Sequence, residues 1–173
     1  MVETLIGIGA NLPAPDGASP LATCQRACAG LAESLGRLGA RSPWYLSAPV
    51  PPSDQPWFIN GVAVLDTDLG AQAVLAALHG LERSAGRRRR KRWEARVLDL
   101  DLLAYGDQVI EDAGGLELPH PRLSERLFVL VPLADVAPRW RHPRSRLGIG
   151  ALLAARAGDR RPCRLPGSAG AAS

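Results

Sequence analysis

The segment from Arg87 to Leu103 constrains the fold most, because it joins a run of cationic residues to an apolar stretch that carries two aspartates. Side chains two residues apart on a strand project from the same face, so Asp99 and Asp101 would lie roughly 6 to 7 Å apart at Cα. Two carboxylates placed in this way repel each other and lose hydration unless a cation lies between them. The segment therefore predicts a strand with one face held next to a cation.

A hard divalent ion is the cation that best suits this pair of carboxylates. Mg²⁺ takes one or two protein carboxylates and completes its octahedron with water and phosphate oxygens, while arginine presents a planar fork to phosphate. A solvated loop or a nucleic-acid patch would account for the arginines alone, but neither would account for the aspartates. The segment indicates a nucleoside triphosphate site.

Length and composition predict one folded domain. The 173 residues are 46% hydrophobic and carry a net charge of +4. We expect a cytoplasmic protein, because the first residues lack signal-peptide character and no apolar run approaches the roughly 20 residues that span a bilayer. An odd number of cysteines suggests reduced thiols, and Cys24 and Cys28 could share one helix face, where packing is the expected role.

Hydrophobic periodicity predicts an α+β protein. Apolar, β-favouring stretches predict strands at residues 2–9, 40–47, 57–65 and 97–105. Helical spacing predicts helices at residues 21–38, 69–83, 123–131 and 147–157, the first capped by Ser19 and Pro20. Such an order favours a compact sandwich. We expect a single domain over residues 1–158 and a disordered tail over 159–173, where little can be buried.

Three polar residues stand out from their surroundings. Asn60 lies in an apolar strand, where it either satisfies nearby backbone or binds a ligand through its paired donor and acceptor. Glu82 falls in the last turn of a helix, which disfavours negative charge and hints at a nearby cation or donor. His120 has a proline on each side, which fixes its position, although a lone histidine is more often structural.

Several separated segments resemble one known family, the 6-hydroxymethyl-7,8-dihydropterin pyrophosphokinases (HPPK). They occur in the family's order and cover roughly residues 4 to 140. The matching segments are Ile8-Gly9-Ala10-Asn11-Leu12, Tyr45-Leu46-Ser47-Ala48-Pro49-Val50, Phe58-Ile59-Asn60-Gly61-Val62, Glu82 with Gly86-Arg87, Arg92 to Asp101, Leu118-Pro119-His120-Pro121, and Arg126 to Leu130.

The resemblance implies a ferredoxin-like α/β sandwich with a mainly antiparallel sheet covered by helices. It also implies transfer of a diphosphoryl group from ATP to the pterin's hydroxymethyl oxygen, with release of AMP. ATP would be the co-substrate and two Mg²⁺ ions the cofactor. We expect a monomer that binds the pterin and ATP but neither nucleic acid nor membrane.

The resemblance also implies a role for each matching residue. Asp99 and Asp101 would bind the metal. The catalytic arginines would be Arg87, Arg92 and Arg96. Pterin-binding residues would be Asn11, Ser47, Val50, Phe58, Asn60 and Phe128. Nucleotide-binding residues would be Glu82, Arg89, Trp93, His120 and Arg126. The Arg-rich run and the proline-rich loop would close over the substrates.

Two departures from the family pattern keep rival hypotheses open. Glu94 and Ala95 stand where the family usually has Gly-Pro or a similar small pair, and Pro13 follows Leu12 in place of the usual glycine. The alternatives are a diverged paralogue with another hydroxymethyl acceptor, a catalytically silent ATP-binding protein and, last, a basic RNA-binding domain. The RNA-binding hypothesis lacks the aromatic and basic strand signature of an RNA-recognition module.

Overall fold

A mainly antiparallel sheet forms the centre of the protein. The computed structural model describes residues 1–86 and 96–170. The strands of the sheet are β1 (Val2–Ala10), β2 (Arg37–Arg41), β3 (Tyr45–Ser47), β4 (Phe58–Thr67), β5 (Asp99–Tyr105) and β8 (Cys163–Arg164). They lie in the order β5-β1-β4-β3-β8, and β2 also pairs with β4. A separate hairpin contains β6 (Ile110–Glu111) and β7 (Glu117–Leu118).

Helices cover both faces of the sheet. Helices α1 (Pro20–Leu35) and α2 (Ala71–Ser84) pack on one face, while α3 (Leu127–Val136) and the short α4 (Ile149–Ala154) pack on the other. Neighbouring residues of β1 show this alternation, since Ile6 belongs to the core under α1 and α2 and Leu5 to the core under α3. Within residues 1–86 and 96–170, no helix combines the length and the apolar character needed to cross a bilayer.

This arrangement confirms the predicted fold class. In chain order the elements run strand, helix, three strands, helix, strand, and the order β5-β1-β4-β3 is that of a ferredoxin-like sandwich. The predicted start of α1 is also confirmed, because the Ser19 hydroxyl accepts a hydrogen bond from the N–H of Ala22 and Pro20 occupies the first turn.

The strand predicted over residues 40–47 is two strands, β2 and β3. Pro43 has no N–H to donate, so the strand is interrupted there, and Ser42 maintains contact with β4 instead. The Ser42 hydroxyl accepts from the N–H of Val62, and its own N–H donates to the carbonyl of Val62. Helix α1 ends earlier than predicted, since the chain turns at Gly36, whose φ is 141°.

Hydrogen bonds join the C-terminal segment to the sheet. Strand β8 pairs with β3, and the N–H of Leu165 donates to the carbonyl of Trp44 over 2.8 Å. The Arg41 guanidinium donates to the carbonyl of Ala169 over 2.9 Å. Backbone and hydroxyl hydrogen bonds hold this segment where its composition offers little to bury. Residues 171–173 lie outside the described part of the chain.

The three cysteines differ sharply in their surroundings. Cys24 and Cys28 lie on the buried face of α1, as predicted, and burial raises their thiol pKa values to about 12 and about 11. Cys163 is exposed on β8. Of the three cysteines, Cys163 is therefore the one that a thiol reagent can reach.

We expect 5,5′-dithiobis(2-nitrobenzoic acid) at pH 8 to modify one thiol rapidly in the native protein and all three after denaturation in guanidinium chloride. A Cys163→Ser variant should show no rapid phase. Rapid modification of a second thiol in that variant would contradict the burial of Cys24 and Cys28.

Candidate active site

A cleft of about 710 Å³ lies over one end of the sheet, on the face that also carries α3. Its floor is formed by β1, β4 and β5, and its walls by the loop between β3 and β4 and by the segment that leads into α3. A volume of this size suits a small-molecule ligand. The residues of β1 that face the cleft are Gly7 and Gly9.

A row of three paired residues crosses the floor. Gly9 is paired with Asn60 of β4 on one side and with Asp99 of β5 on the other. Two strand spacings separate Asn60 from Asp99, which is about 10 Å. A Cβ atom at Gly9 would approach Asn60 Oδ1 to 3.1 Å, so the glycine leaves open the space between amide and carboxylate.

The two aspartates lie on the same face of β5, as predicted. Leu100 and Leu102 alternate with them and belong to the core on the opposite face. Burial, followed by the nearby charge of Asp99, raises the pKa of the Asp101 carboxyl above its ordinary value. The pair therefore favours the approach of a cation.

Two arginines supply positive charge to these carboxylates. Arg96 pairs with Asp99, and the Arg126 guanidinium lies 3.3 Å from Asp101 Oδ2. The Arg126 guanidinium also lies 5.5 Å from the centre of the Phe128 ring. Burial lowers the pKa of Arg126, against the attraction of Asp101. These guanidiniums occupy the position where a metal and phosphate groups would be expected.

The donor set fits a hard cation that is shared with a phosphate ligand. Asp99 and Asp101 offer oxygen ligands, and in the described residues no group of three or more His, Cys, Asp or Glu side chains could hold a metal ion. Mg²⁺ is often held in this way by one or two carboxylates, with water and phosphate oxygens as its other ligands.

His120 lies beside the carboxylates in a fixed orientation. Its backbone N–H donates to the carbonyl of Leu103 over 2.8 Å, and its ring Nδ1 accepts from the backbone N–H of Arg122 over 3.1 Å. Burial lowers the pKa of His120, while the charge of Asp101 opposes this shift. Because Nδ1 accepts a hydrogen bond, the ring carries its proton on Nε2 and can donate from that atom.

At the other end of the floor, the cleft is lined by an amide and two aromatic rings. Asn60 is 7% exposed, and its Nδ2 donates to the Ser47 hydroxyl over 2.7 Å. Both Phe58 and Phe128 line the cleft and are half-buried, and Val50 lies at its exposed rim. An amide with aromatic neighbours suits a flat ring that carries hydrogen-bonding edges.

Two predicted site residues have structural partners. Glu82 is 1% exposed at the cleft wall, and its Oε1 accepts from the N–H of Leu100 over 2.9 Å. Leu100 lies on the edge strand β5, so Glu82 satisfies a backbone donor there. Asn11 is 2% exposed and lies behind the wall of the cleft, where its amide bonds Pro56 and Arg96.

The structure brings most of the predicted residues together. The cleft is lined by Ser47, Val50, Phe58, Asn60, Glu82, Arg96, Asp99, Asp101, His120, Arg126 and Phe128. Four others lie outside the described residues: Arg87, Arg89, Arg92 and Trp93.

Other lining residues were not singled out from the sequence, among them Gln55, His79 and Arg122. Two of them are next to prolines in segments that the sequence analysis assigned to the site, since Gln55 precedes Pro56 and Arg122 follows Pro121. His79 had no such signal, because it lies within the regular spacing of α2.

The family model of 7,8-dihydro-6-hydroxymethylpterin-pyrophosphokinase (HPPK) matches residues 5–138. The chain is similar to the 2-amino-4-hydroxy-6-hydroxymethyldihydropteridine pyrophosphokinase of Pseudomonas aeruginosa, with 50% identity over 110 residues, 64% of this chain and 67% of that protein. It is 35% identical to the Haemophilus influenzae protein of the same name over 147 residues, 85% of this chain and 89% of the other.

Among solved structures, the wild-type HPPK-DHPS of Plasmodium falciparum superposes with a TM-score of 0.72 and 12% sequence identity. The match covers 91% of this chain but only 45% of the Plasmodium chain, and at this identity it shows the fold alone. The resemblance expected from the sequence is confirmed by the family model and by the relatives, so the chain belongs to the 7,8-dihydro-6-hydroxymethylpterin-pyrophosphokinase family.

Proposed function

We propose that the cleft transfers the β,γ-diphosphoryl group of ATP to the hydroxymethyl oxygen of 6-hydroxymethyl-7,8-dihydropterin and releases AMP. The new bond joins that oxygen to the β-phosphorus, the bond from the β-phosphorus to the bridging oxygen of AMP breaks, and the hydroxyl proton leaves. Relatives at 35–50% identity carry the name of this enzyme, which confirms the predicted activity and enzyme class at the level of the family.

The row that joins Asn60, Gly9 and Asp99 is the observation that carries this proposal. It places an amide suited to a pterin edge and a carboxylate suited to a metal about 10 Å apart on one floor. The bare glycine between them leaves room for the reacting groups. Positioning and charge neutralisation are the main requirements of phosphoryl transfer, and this floor can provide both.

The pterin would lie between Phe58 and Phe128, with its edge against the Asn60 amide. Ser47 fixes this amide by accepting from its Nδ2, so the amide presents its donor and acceptor to the cleft in one orientation. Val50 would cover the rim. A buried amide discriminates strongly, because a ligand that fails to match it leaves polar groups unpaired.

Asp99 and Asp101 would hold Mg²⁺, and we propose two ions. The metal would neutralise charge on the triphosphate and polarise the transferred group. Arg96 and Arg126 already contact these carboxylates and can turn to phosphate oxygens when a metal replaces them. His120 can donate from Nε2 to the nucleotide. Roles for Arg87, Arg89, Arg92 and Trp93 stay predictions, as do the cytoplasmic location, the monomeric state and the lack of nucleic-acid binding.

The reaction itself is tested by incubating the protein with ATP, Mg²⁺ and 6-hydroxymethyl-7,8-dihydropterin and separating the nucleotides by chromatography. We expect AMP in equal amount to the diphosphorylated pterin, and none when the pterin is omitted. ADP as the product, or no turnover, would refute the proposal. AMP formed only with another hydroxymethyl acceptor would favour the diverged paralogue.

We expect Asp99→Asn or Asp101→Asn to lower Mg²⁺-dependent AMP formation by about 100-fold or more, because each removes a ligand worth several kcal/mol in the transition state. Asp66→Asn is the matched control, since Asp66 is a strand carboxylate that pairs with Arg37 at 2.6 Å on the far part of β4. Wild-type rates in either cleft variant, with the control unaffected, would refute the metal assignment.

Asn60→Ala should raise the KM for the pterin by about tenfold or more, because a buried hydrogen-bonding group is lost, and should leave the KM for ATP within about twofold. Steady-state kinetics with each substrate varied in turn measures both values. Thr67→Val, which removes a buried hydroxyl at the other end of β4, should change neither. An equal rise in both KM values would argue against a pterin-specific amide.

A further inference from the structure

Asn11 joins the two segments that flank the cleft. Its Nδ2 donates to the carbonyl of Pro56 over 3.0 Å and to Gln55 Oε1 over 3.4 Å. Its Oδ1 accepts from the N–H of Arg96 over 2.6 Å. The backbone N–H groups of Asn11 and Leu12 both donate to the Arg96 carbonyl, over 2.9 and 3.1 Å. One buried side chain therefore binds both segments at once.

Each segment leads directly to one half of the cleft. Pro56 is two residues before Phe58, which lines the end of the cleft assigned to the pterin. Arg96 is three residues before Asp99 and pairs with it at the end assigned to the metal and nucleotide. Asn11 therefore provides a hydrogen-bonded connection between the two ends that lies outside the sheet.

We propose that Asn11 is a positioning residue that couples pterin binding to nucleotide binding by holding Pro56 and Arg96 in one arrangement. This inference rests on the proposed function, because it requires that the two ends of the cleft take these two substrates. Asn11 is not among the residues that line the cleft, so in this role it would act through Pro56 and Arg96.

The coupling follows from burial. Asn11 is 2% exposed, so water cannot replace a partner that moves away. If the Arg96 segment shifts alone, Asn11 Oδ1 loses its donor; if the Pro56 segment shifts alone, Nδ2 loses its acceptor. An unpaired buried polar group is unfavourable, and the two segments are therefore expected to move together. Ordering one segment with a first ligand then favours binding of the second.

The experiment measures pterin affinity twice for each variant. Isothermal titration calorimetry gives the dissociation constant of 6-hydroxymethyl-7,8-dihydropterin with and without Mg²⁺ and α,β-methylene ATP. In this analogue a methylene group replaces the oxygen that bridges the α- and β-phosphorus atoms, so the bond that would break is absent. In the wild type we expect the analogue to tighten pterin binding by about fivefold or more. The coupling ratio is the pterin dissociation constant without the analogue divided by the constant with it. In Asn11→Ala we expect this ratio to fall to about one, with a smaller change in either affinity measured alone.

Two further variants separate coupling from loss of folding. Asn11→Asp keeps the acceptor for the Arg96 N–H but places an oxygen against the Pro56 carbonyl, so it should also lose the coupling. Thr67→Val loses a buried hydroxyl that bonds Leu35 and Leu69, far from the cleft, and should keep the wild-type ratio. A wild-type ratio in both Asn11 variants, or a ratio of one in the wild type, would overturn the inference.

Hydrogen–deuterium exchange of residues 48–57 provides a readout that needs only the nucleotide analogue. Protection of these amides by the analogue is expected in the wild type and in Thr67→Val, and its loss is expected in Asn11→Ala. Protection that persists in Asn11→Ala would overturn the coupling. A wild type that binds the analogue, shows this protection and binds no pterin would instead overturn the proposed function.

Discussion

Antiparallel pairing of β1 with both β4 and β5 is the constraint on which the cleft depends. The register fixes Gly9 between Asn60 and Asp99, and Gly7 beside Asp101. Side chains alternate along each strand, so a shift by one residue would turn these polar groups into the core and the core leucines into the cleft. The hydrophobic alternation that holds the sheet in register therefore also determines the chemistry of its floor.

The edge position of β5 creates a second requirement, because an edge strand exposes backbone donors. Glu82 meets it by accepting from the N–H of Leu100, between the two aspartates. The carboxylates thus lie on a strand whose free edge is hydrogen-bonded to Glu82 of α2. Their own charge is opposed by Arg96 and Arg126 on the cleft side. Backbone support and charge balance come from different elements, which leaves the arginines able to exchange partners.

Local pattern predicted the layers, the strand that carries Asp99 and Asp101, and the cap of α1, because each depends on neighbouring residues. The division into β2 and β3 has a local cause in Pro43, but the hydrogen bonds by which Ser42 stays on β4 join distant parts of the chain and could not be predicted. Nor could the local pattern distinguish a side chain that lines the cleft from one that holds the surrounding segments in place. Asn60 and Asn11 look alike in sequence, and only their partners assign one to the cleft floor and the other to the wall behind it.

Strand β8 lies beyond the part of the chain that matches the family model, yet it occupies the margin of the catalytic sheet. Without it, β3 would offer unpaired N–H and C=O groups beside Tyr45 and Leu46, a template on which another copy of the chain could add a strand. The cover is only two residues long and presents an arginine outward. A short edge strand that carries a charged side chain is a poor template for such an addition.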